Sequence, residues 1–183
     1  MAEKKIKVSK LDAAKRQLDC AIALWFRDAD EVSIHTLVFA AHGIIQDINA
    51  KRGNTDASLL AIAKRHVKPE HVELAMRTMK KAMTFFKHAD RDPNDILEFD
   101  PAASERLITI SLLGLGMLGE RMSDLQRAAI FWDCFHNPQL IRPGVNPALK
   151  DFSVVEAANI RKLNKREFLE AAMARLAQER VRD

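Results

Sequence analysis

The chain has 183 residues, of which 48% are hydrophobic and 30% are charged, the balance of an ordinary globular protein. This length fits one domain, or one domain with a terminal appendage, and is enough to bury a core without disulfides or a structural metal. The net charge of +4 is not that of a dedicated nucleic-acid binder, and the longest apolar-rich run, 107–118, is too short to cross a bilayer.

The two cysteines, Cys20 and Cys134, lie in apolar helical contexts and belong to no Cys-x-x-Cys pair. Buried, reduced thiols of this kind favour a cytoplasmic protein. The basic first ten residues have no apolar run behind them, so we predict no secretory signal and no membrane segment.

Charge is distributed unevenly along the chain. Residues 1–16 carry six lysines and arginines against two acids, and the last stretch is also basic, whereas residues 90–105 carry six acids against Arg91. One interpretation is a set of solvated faces with a basic tail. The other predicts that the basic ends contact an acidic partner or nucleic acid.

Helix-forming residues dominate and tyrosine is absent, which predicts helices throughout. Ser9 is placed to cap a helix that reaches about Arg27. Asp30 or Ser33 can open a second helix that reaches about Lys51.

Gly53 is expected to stop the second helix, because glycine adopts a left-handed conformation at little cost. A short helix over about 54–65 should precede a third long helix that begins at Pro69. This helix is expected to end near His88, since the residue before Pro93 avoids helical dihedrals.

Asp100, followed by a proline, predicts the start of an apolar helix that should lie centrally. Ser123 with Gln126, and Ser153 with Glu156, each have the spacing of a capping box at a later helix start.

Three proline-containing turns between residues 137 and 152 mark the best boundary in the chain. We therefore predict a basic tail (1–8), a helical core (9–136), a proline-rich connection (137–152) and a helical appendage (153–183). In the appendage, Asn164 either re-caps a final helix or lies inside an unbroken one. The predicted fold is all-α, a bundle of about seven helices.

The least routine polar stretch runs from 85 to 93, where a base, an acid and a cation stand close together in sequence. His35 and His42 lie two helical turns apart and so share one side of the second helix. The candidate catalytic residues are His88, Asp90 and Arg91, and the candidate binding residues are His35, His42 and Asp92. The site assembles only if His88 meets the two helix-borne histidines. Otherwise these two are hydrogen-bonded histidines beside the core.

The acidic stretch resembles a calcium loop only in part. Asp90, Asp92 and Asn94 occupy its first three ligand positions. The rest of the stretch does not match. Asp95 stands where the turn of the loop needs glycine, and Pro101 stands where calcium needs a glutamate ligand. We assign no metal ligands; a looser divalent-cation site, or acids that cap helices and pair with nearby cations, both stay open.

The string Gly114-Leu-Gly-Met-Leu-Gly119 matches a dinucleotide-binding pattern, which requires a strand before it and a parallel strand after it. The chain offers no strands for that sheet. Small residues that let two helices approach closely are the preferred interpretation.

Three strings, Lys10–Leu18, Ser33-Ile-His-Thr-Leu37 and Phe85–Pro93, together resemble a family of small, uncharacterised bacterial all-helical proteins, over roughly residues 9–135. The resemblance implies a helical fold and carries no activity.

More distantly, the opening helix and the general layout are similar to HEPN-type helical bundles. Many of those are ribonucleases or partners of nucleotidyltransferases in toxin–antitoxin systems. Their nuclease members carry an arginine a few residues before a histidine. Here only Arg65 and His71 have that spacing, with Pro69 between them, and His88 stands in the wrong order with Arg91.

Three functions stay open. The first is a non-catalytic binding or interaction module, either a homo-oligomer or held by a protein partner. The second is a HEPN-like ribonuclease or metal-dependent enzyme that uses the three histidines with Asp90, Arg91 and Asp92. The third is a small-molecule-binding protein with a pocket lined by Met and Phe, which sequence cannot separate from a Met-filled core. No cofactor is indicated.

Overall fold

A computed structural model describes residues 5–55, 58, 60–61, 64, 69–90, 93–137 and 153–182. The helices are α1 (Lys10–Trp25), α2 (Glu31–Lys51), α3 (Pro69–Phe85), α4 (Ala102–Met117), α5 (Asp124–His136), α6 (Val154–Ile160) and α7 (Lys165–Arg182). Seven helices and no strand within these ranges confirm the predicted all-α bundle.

The first two helices begin where their caps predict. The Ser9 hydroxyl accepts a hydrogen bond from the Asp12 amide at 3.0 Å, and the Asp30 carboxylate accepts one from the Ser33 amide at 2.7 Å. Each bond satisfies one backbone N–H that the first helical turn leaves without a partner. Gly53, just past the end of α2, has a φ of +80°, the left-handed conformation expected of a helix stop.

Two later helices start in the predicted capping boxes. In both, the serine hydroxyl accepts a hydrogen bond from the backbone amide three residues later, and the side chain of that later residue accepts one from the serine amide. The pairs are Ser123 with Gln126 and Ser153 with Glu156. Asn164 and Glu167 exchange the same two bonds, at 3.0 and 3.1 Å. The chain therefore re-caps at Asn164, and α6 and α7 are separate helices.

The start of α4 differs slightly from its prediction. The Asp100 carboxylate accepts from the Ala102 amide at 3.0 Å, as a cap should, and the helix itself begins at Ala102. Most of the predicted short helix after residue 54, and residues 138–152 of the proline-rich connection, lie outside the described residues.

One apolar core joins the helices. Its fully buried members include Leu18 and Ile22 of α1, Val38 of α2 and Leu112 of α4. The C-terminal helix α7 also adds Phe168 to this core, where its ring stacks on Phe26 with centroids 6.4 Å apart.

A seam of buried polar contacts fixes α2 against α4. His35 Nδ1 lies 3.2 Å from Ser104 Oγ, and one heptad later His42 Nδ1 lies 3.3 Å from Ser111 Oγ. One further heptad along, the Asn49 amide donates to the Gly114 carbonyl at 2.8 Å. Residues later in α2 bond to residues later in α4, so the two helices run parallel. A seven-residue repeat is the period at which one helix keeps the same side towards another.

Two glycines in these helices stand in opposite surroundings. A Cβ built on Gly114 lies 2.9 Å from Ile45 Cγ2, whereas a Cβ built on Gly43 has no atom within 4 Å. Gly114 therefore lets α4 approach α2, as the glycine string predicts, and Gly43 borders open space.

We expect alanine to have opposite effects at these two sites. Gly43→Ala should raise the free energy of unfolding by about 0.5–1 kcal/mol, because glycine is the poorer helix former. Gly114→Ala should lower it by about 1–3 kcal/mol, because the added methyl overpacks the seam. Urea unfolding of both variants measures the two changes, and a stabilised Gly114→Ala would contradict the close approach.

Candidate functional site

A cleft of about 910 Å³ lies between α2 and α3. The α2 wall consists of Phe39, His42, Gly43 and Gln46, and the α3 wall consists of Glu73, Met76, Lys80 and Met83. The spacings of three, four and seven residues place each set on a single helix face. Ser58, Leu60 and Lys64 complete the lining. Clefts that hold drug-sized molecules have volumes of about 300–1,000 Å³.

Gly43 makes the α2 wall concave. It occupies the middle of a helix, where glycine costs about 1 kcal/mol relative to alanine. No close approach requires a glycine here, since a Cβ would meet nothing within 4 Å. Its effect is to leave room in the cleft beside Phe39 and His42.

The polar pair His42 and Gln46 forms part of the α2 wall. His42 Nε2 lies 3.2 Å from Gln46 Oε1, and the ring is only 3% exposed. A neutral ring can donate from Nε2 to Gln46, which leaves Nδ1 as an acceptor. The single hydroxyl hydrogen of Ser111 is then shared between Nδ1, at 3.3 Å, and the Leu107 carbonyl, at 2.7 Å. Burial lowers the pKa of His42, while the bond to Gln46 opposes that shift in part. The ring is therefore neutral at pH 7.

Among the described residues that line the cleft, those with a formal charge are Lys64, Glu73 and Lys80. All three side chains are exposed, and within the described ranges none of them takes part in a salt bridge. The cleft thus combines apolar walls with two cations and one anion.

His35, a candidate binding residue, is fully buried beneath the end of α3. Its ring contacts three aromatic rings, with centroid distances of 4.9 Å to Phe99, 5.8 Å to Phe86 and 6.1 Å to Phe39. Burial lowers its pKa, and Nε2 has no hydrogen-bond partner. With Nδ1–H donating to Ser104, Nε2 is a bare acceptor, the less costly state for a ring nitrogen among aromatic carbons.

His88 and Asp90, two of the candidate catalytic residues, are exposed in the segment that follows α3. No hydrogen bond or ion pair in the described part of the chain joins the His88 ring to either helix-borne histidine. Arg91 and Asp92 lie outside the described residues, as does Arg65 of the Arg–His spacing. The structure thus brings His35 and His42 onto one seam, and each finds its partner in α4.

No group of three or more His, Cys, Asp or Glu side chains suited to a metal occurs among the described residues. Gly114 and Gly116 lie inside helix α4, and Gly119 follows in the turn with a φ of +74°. No strand precedes them in the described chain, so the helix-packing interpretation of this string holds.

Many cations near the chain ends pair with carboxylates. Lys15 reaches Glu120 at 2.9 Å, and Arg180 reaches Asp124 at 2.7 Å. Lys165 reaches Asp28 at 2.8 Å and also lies over the ring of Trp25. These contacts accord with solvated, ion-paired faces; nucleic-acid binding through the ends stays a prediction.

Sequence reasoning missed the cleft residues other than His42. A weak signal was present, since the glycine at position 43 interrupts a long helix between two turns of apolar residues. Gln46 lies one helical turn after His42 in the sequence and carries no signal of its own, and Lys64 and Lys80 are two of many lysines.

No protein-family model matches the chain, and no curated protein or solved structure is significantly similar to it. Among the described residues, no helix has both the length and the apolar character needed to cross a bilayer. The oligomeric state, the protein partner and the cytoplasmic location stay predictions.

The two buried histidines predict acid sensitivity. Both pKa values are below the ordinary 6.5, so the unfolded chain takes up their protons first as the pH falls. The contribution of these two histidines to the free energy of unfolding is therefore fully present above a pH of about 6.5. Below that pH the free energy of unfolding decreases, by up to about 1.4 kcal/mol per pH unit for each histidine. Urea unfolding at a series of pH values from about 8 to about 5.5 measures this slope.

His35→Gln provides the control, because glutamine keeps a polar group near Ser104 without a titrating ring. Its pH slope should be smaller than that of the wild type. Burial raises the pKa of Glu31 and Asp133, which act in the opposite sense, and subtracting the variant's slope removes their contribution. Equal slopes in both proteins would show that His35 titrates normally when folded.

Proposed function

We propose that this protein is a non-catalytic binding protein that takes a small, mainly apolar molecule into the cleft between α2 and α3. The observation that carries this proposal is the concave space itself, which is open beside Gly43 and lined chiefly by apolar groups. A helical bundle that only needed a filled core would gain stability from a larger side chain at this position.

The lining is chemically suited to such a ligand. Phe39, Met76 and Met83 offer rings and flexible thioether chains, and methionine adapts its shape to what it contacts. Apolar surface brought out of water contributes about 25 cal/mol per Å², so the walls alone supply a driving force. The paired His42 and Gln46 add a polar group that can orient a ligand.

The same features favour binding over catalysis. His42 is neutral and its two nitrogens both have partners, so it has no free position for a substrate proton. Ser111, the hydroxyl nearest to it, is fully buried and donates to a backbone carbonyl. A catalytic base must lie within hydrogen-bond reach of the proton that it removes.

A blocked cleft tests the proposal. Phenylnaphthylamine, a neutral fluorophore that brightens in apolar surroundings, should bind saturably to the wild type. In Gly43→Phe the new ring occupies the cleft, and we expect affinity to fall by about tenfold or more, since burial of one large apolar group is worth about 1.5–3 kcal/mol. A fluorescence titration measures both.

Gly43→Ala is the matched control, because it adds only a methyl and should bind the probe like the wild type. Phenylalanine is no poorer a helix former than glycine, so Gly43→Phe should keep the helical circular dichroism of the wild type. The absence of saturable binding, or equal affinity in a folded Gly43→Phe, would refute the proposed site.

A further inference from the structure

The charges of the cleft are unbalanced in favour of cations. Among the described residues of its lining, Lys64 and Lys80 face it together with one acid, Glu73, and His42 adds no charge while it is neutral. Both lysines are exposed, and no carboxylate in the described ranges pairs with either. Their charge is therefore available to a bound molecule.

Neighbouring side chains strengthen this positive end. Lys80 also borders a second groove, of about 520 Å³, which Arg77 and Lys81 line as well. Arg77 lies one turn before Lys80 and Lys81 directly follows it, so three cations crowd the last half of α3. The described acids in that groove are Asp95 and Glu73. Glu73 and Lys80 line both hollows, and the described cations of the two hollows outnumber the acids.

The positions of the cleft residues suggest an orientation for the ligand. The polar pair on the α2 wall, His42 and Gln46, is uncharged and bonded internally, so it offers little to a full negative charge. The lysine ammonium groups are exposed to water, where a charged end of a ligand keeps part of its hydration. The apolar part would then contact Phe39 and Met83.

We propose that the ligand of the cleft is an amphipathic anion, with an apolar body between α2 and α3 and one acidic group held by Lys64 and Lys80. The inference depends on the proposed function and specifies its ligand class. Two lysines without a carboxylate partner in the described ranges stand beside an apolar cleft. This arrangement is complementary to a molecule that is apolar over most of its length and negative at one end.

Displacement of phenylnaphthylamine tests the charge separately from the cleft. Decanoate and nonanol have the same nine-carbon alkyl chain and differ in charge at neutral pH. Decanoate should displace the probe at a concentration about three- to tenfold lower than nonanol, because each exposed ion pair is worth about 0.2–1 kcal/mol. Nonyltrimethylammonium should be weaker than nonanol. A preference of nonyl phosphate over decanoate, or the reverse, identifies the acidic group.

Lysine variants locate the acidic group. Lys80→Gln and Lys64→Gln should each reduce decanoate affinity about two- to fivefold and leave nonanol affinity unchanged. Lys162→Gln, which removes an exposed lysine outside the cleft, is the control for overall charge and should match the wild type. Raising the salt concentration to about 1 M, where the Debye length is about 3 Å, should reduce the advantage of decanoate.

Different results would refute the proposed function and the proposed ligand class. If phenylnaphthylamine does not bind, the proposed function itself fails. If the probe binds but nonanol displaces it as well as decanoate does, the cleft stands and the anionic ligand is refuted. The anionic ligand is also refuted if Lys162→Gln weakens decanoate as much as Lys80→Gln, because the preference then reflects only net charge.

Discussion

The structure depends on the parallel seam between α2 and α4. Three polar side chains of α2, one per heptad, are buried against α4 and bonded there: His35 to Ser104, His42 to Ser111 and Asn49 to the carbonyl of Gly114. Buried polar groups without partners cost about 1–3 kcal/mol each. A slip of α2 by one turn would separate all three pairs at once, so the seam fixes register in the way a buried polar residue does in a coiled coil.

The cleft is a consequence of that fixed register. With one face of α2 bonded to α4, the adjacent stripe that includes Phe39, Gly43 and Gln46 faces α3. His42 belongs to both surfaces, since its Nδ1 faces the seam and its ring lines the cleft. A molecule that touches His42 is therefore one side chain away from the buried Ser111.

The helix starts could be predicted from the sequence because capping is local. Ser9, Asp30 and Ser123 each accept from the amide three residues later, so their effect does not depend on the rest of the fold. The seam is different. The seven-residue spacing of His35 and His42 was evident, but their serine partners lie 69 positions further on, and only the parallel packing of the helices brings them together.

The cleft could be predicted least of all. The methionines of α3 have the same spacing in the sequence whether they fill a core or line a cleft. An empty volume is not encoded by any particular residue, so residue spacing does not reveal it. The direct signal in the sequence was Gly43, a glycine in the middle of a helix. The structure adds that a Cβ there would meet nothing within 4 Å, so helix packing does not require a glycine at this position. His88 and Asp90 attracted attention through their density of charge, and the structure shows both as exposed residues of the segment that follows α3.

A crystal structure grown with phenylnaphthylamine tests most directly whether the seam holds open a ligand cleft. We predict density for the probe between α2 and α3, in contact with Phe39 and Met83 and adjacent to Gly43, with the contacts of His35, His42 and Asn49 to α4 unbroken. Side chains of α3 packed into that space, or a probe bound only elsewhere on the protein, would contradict it.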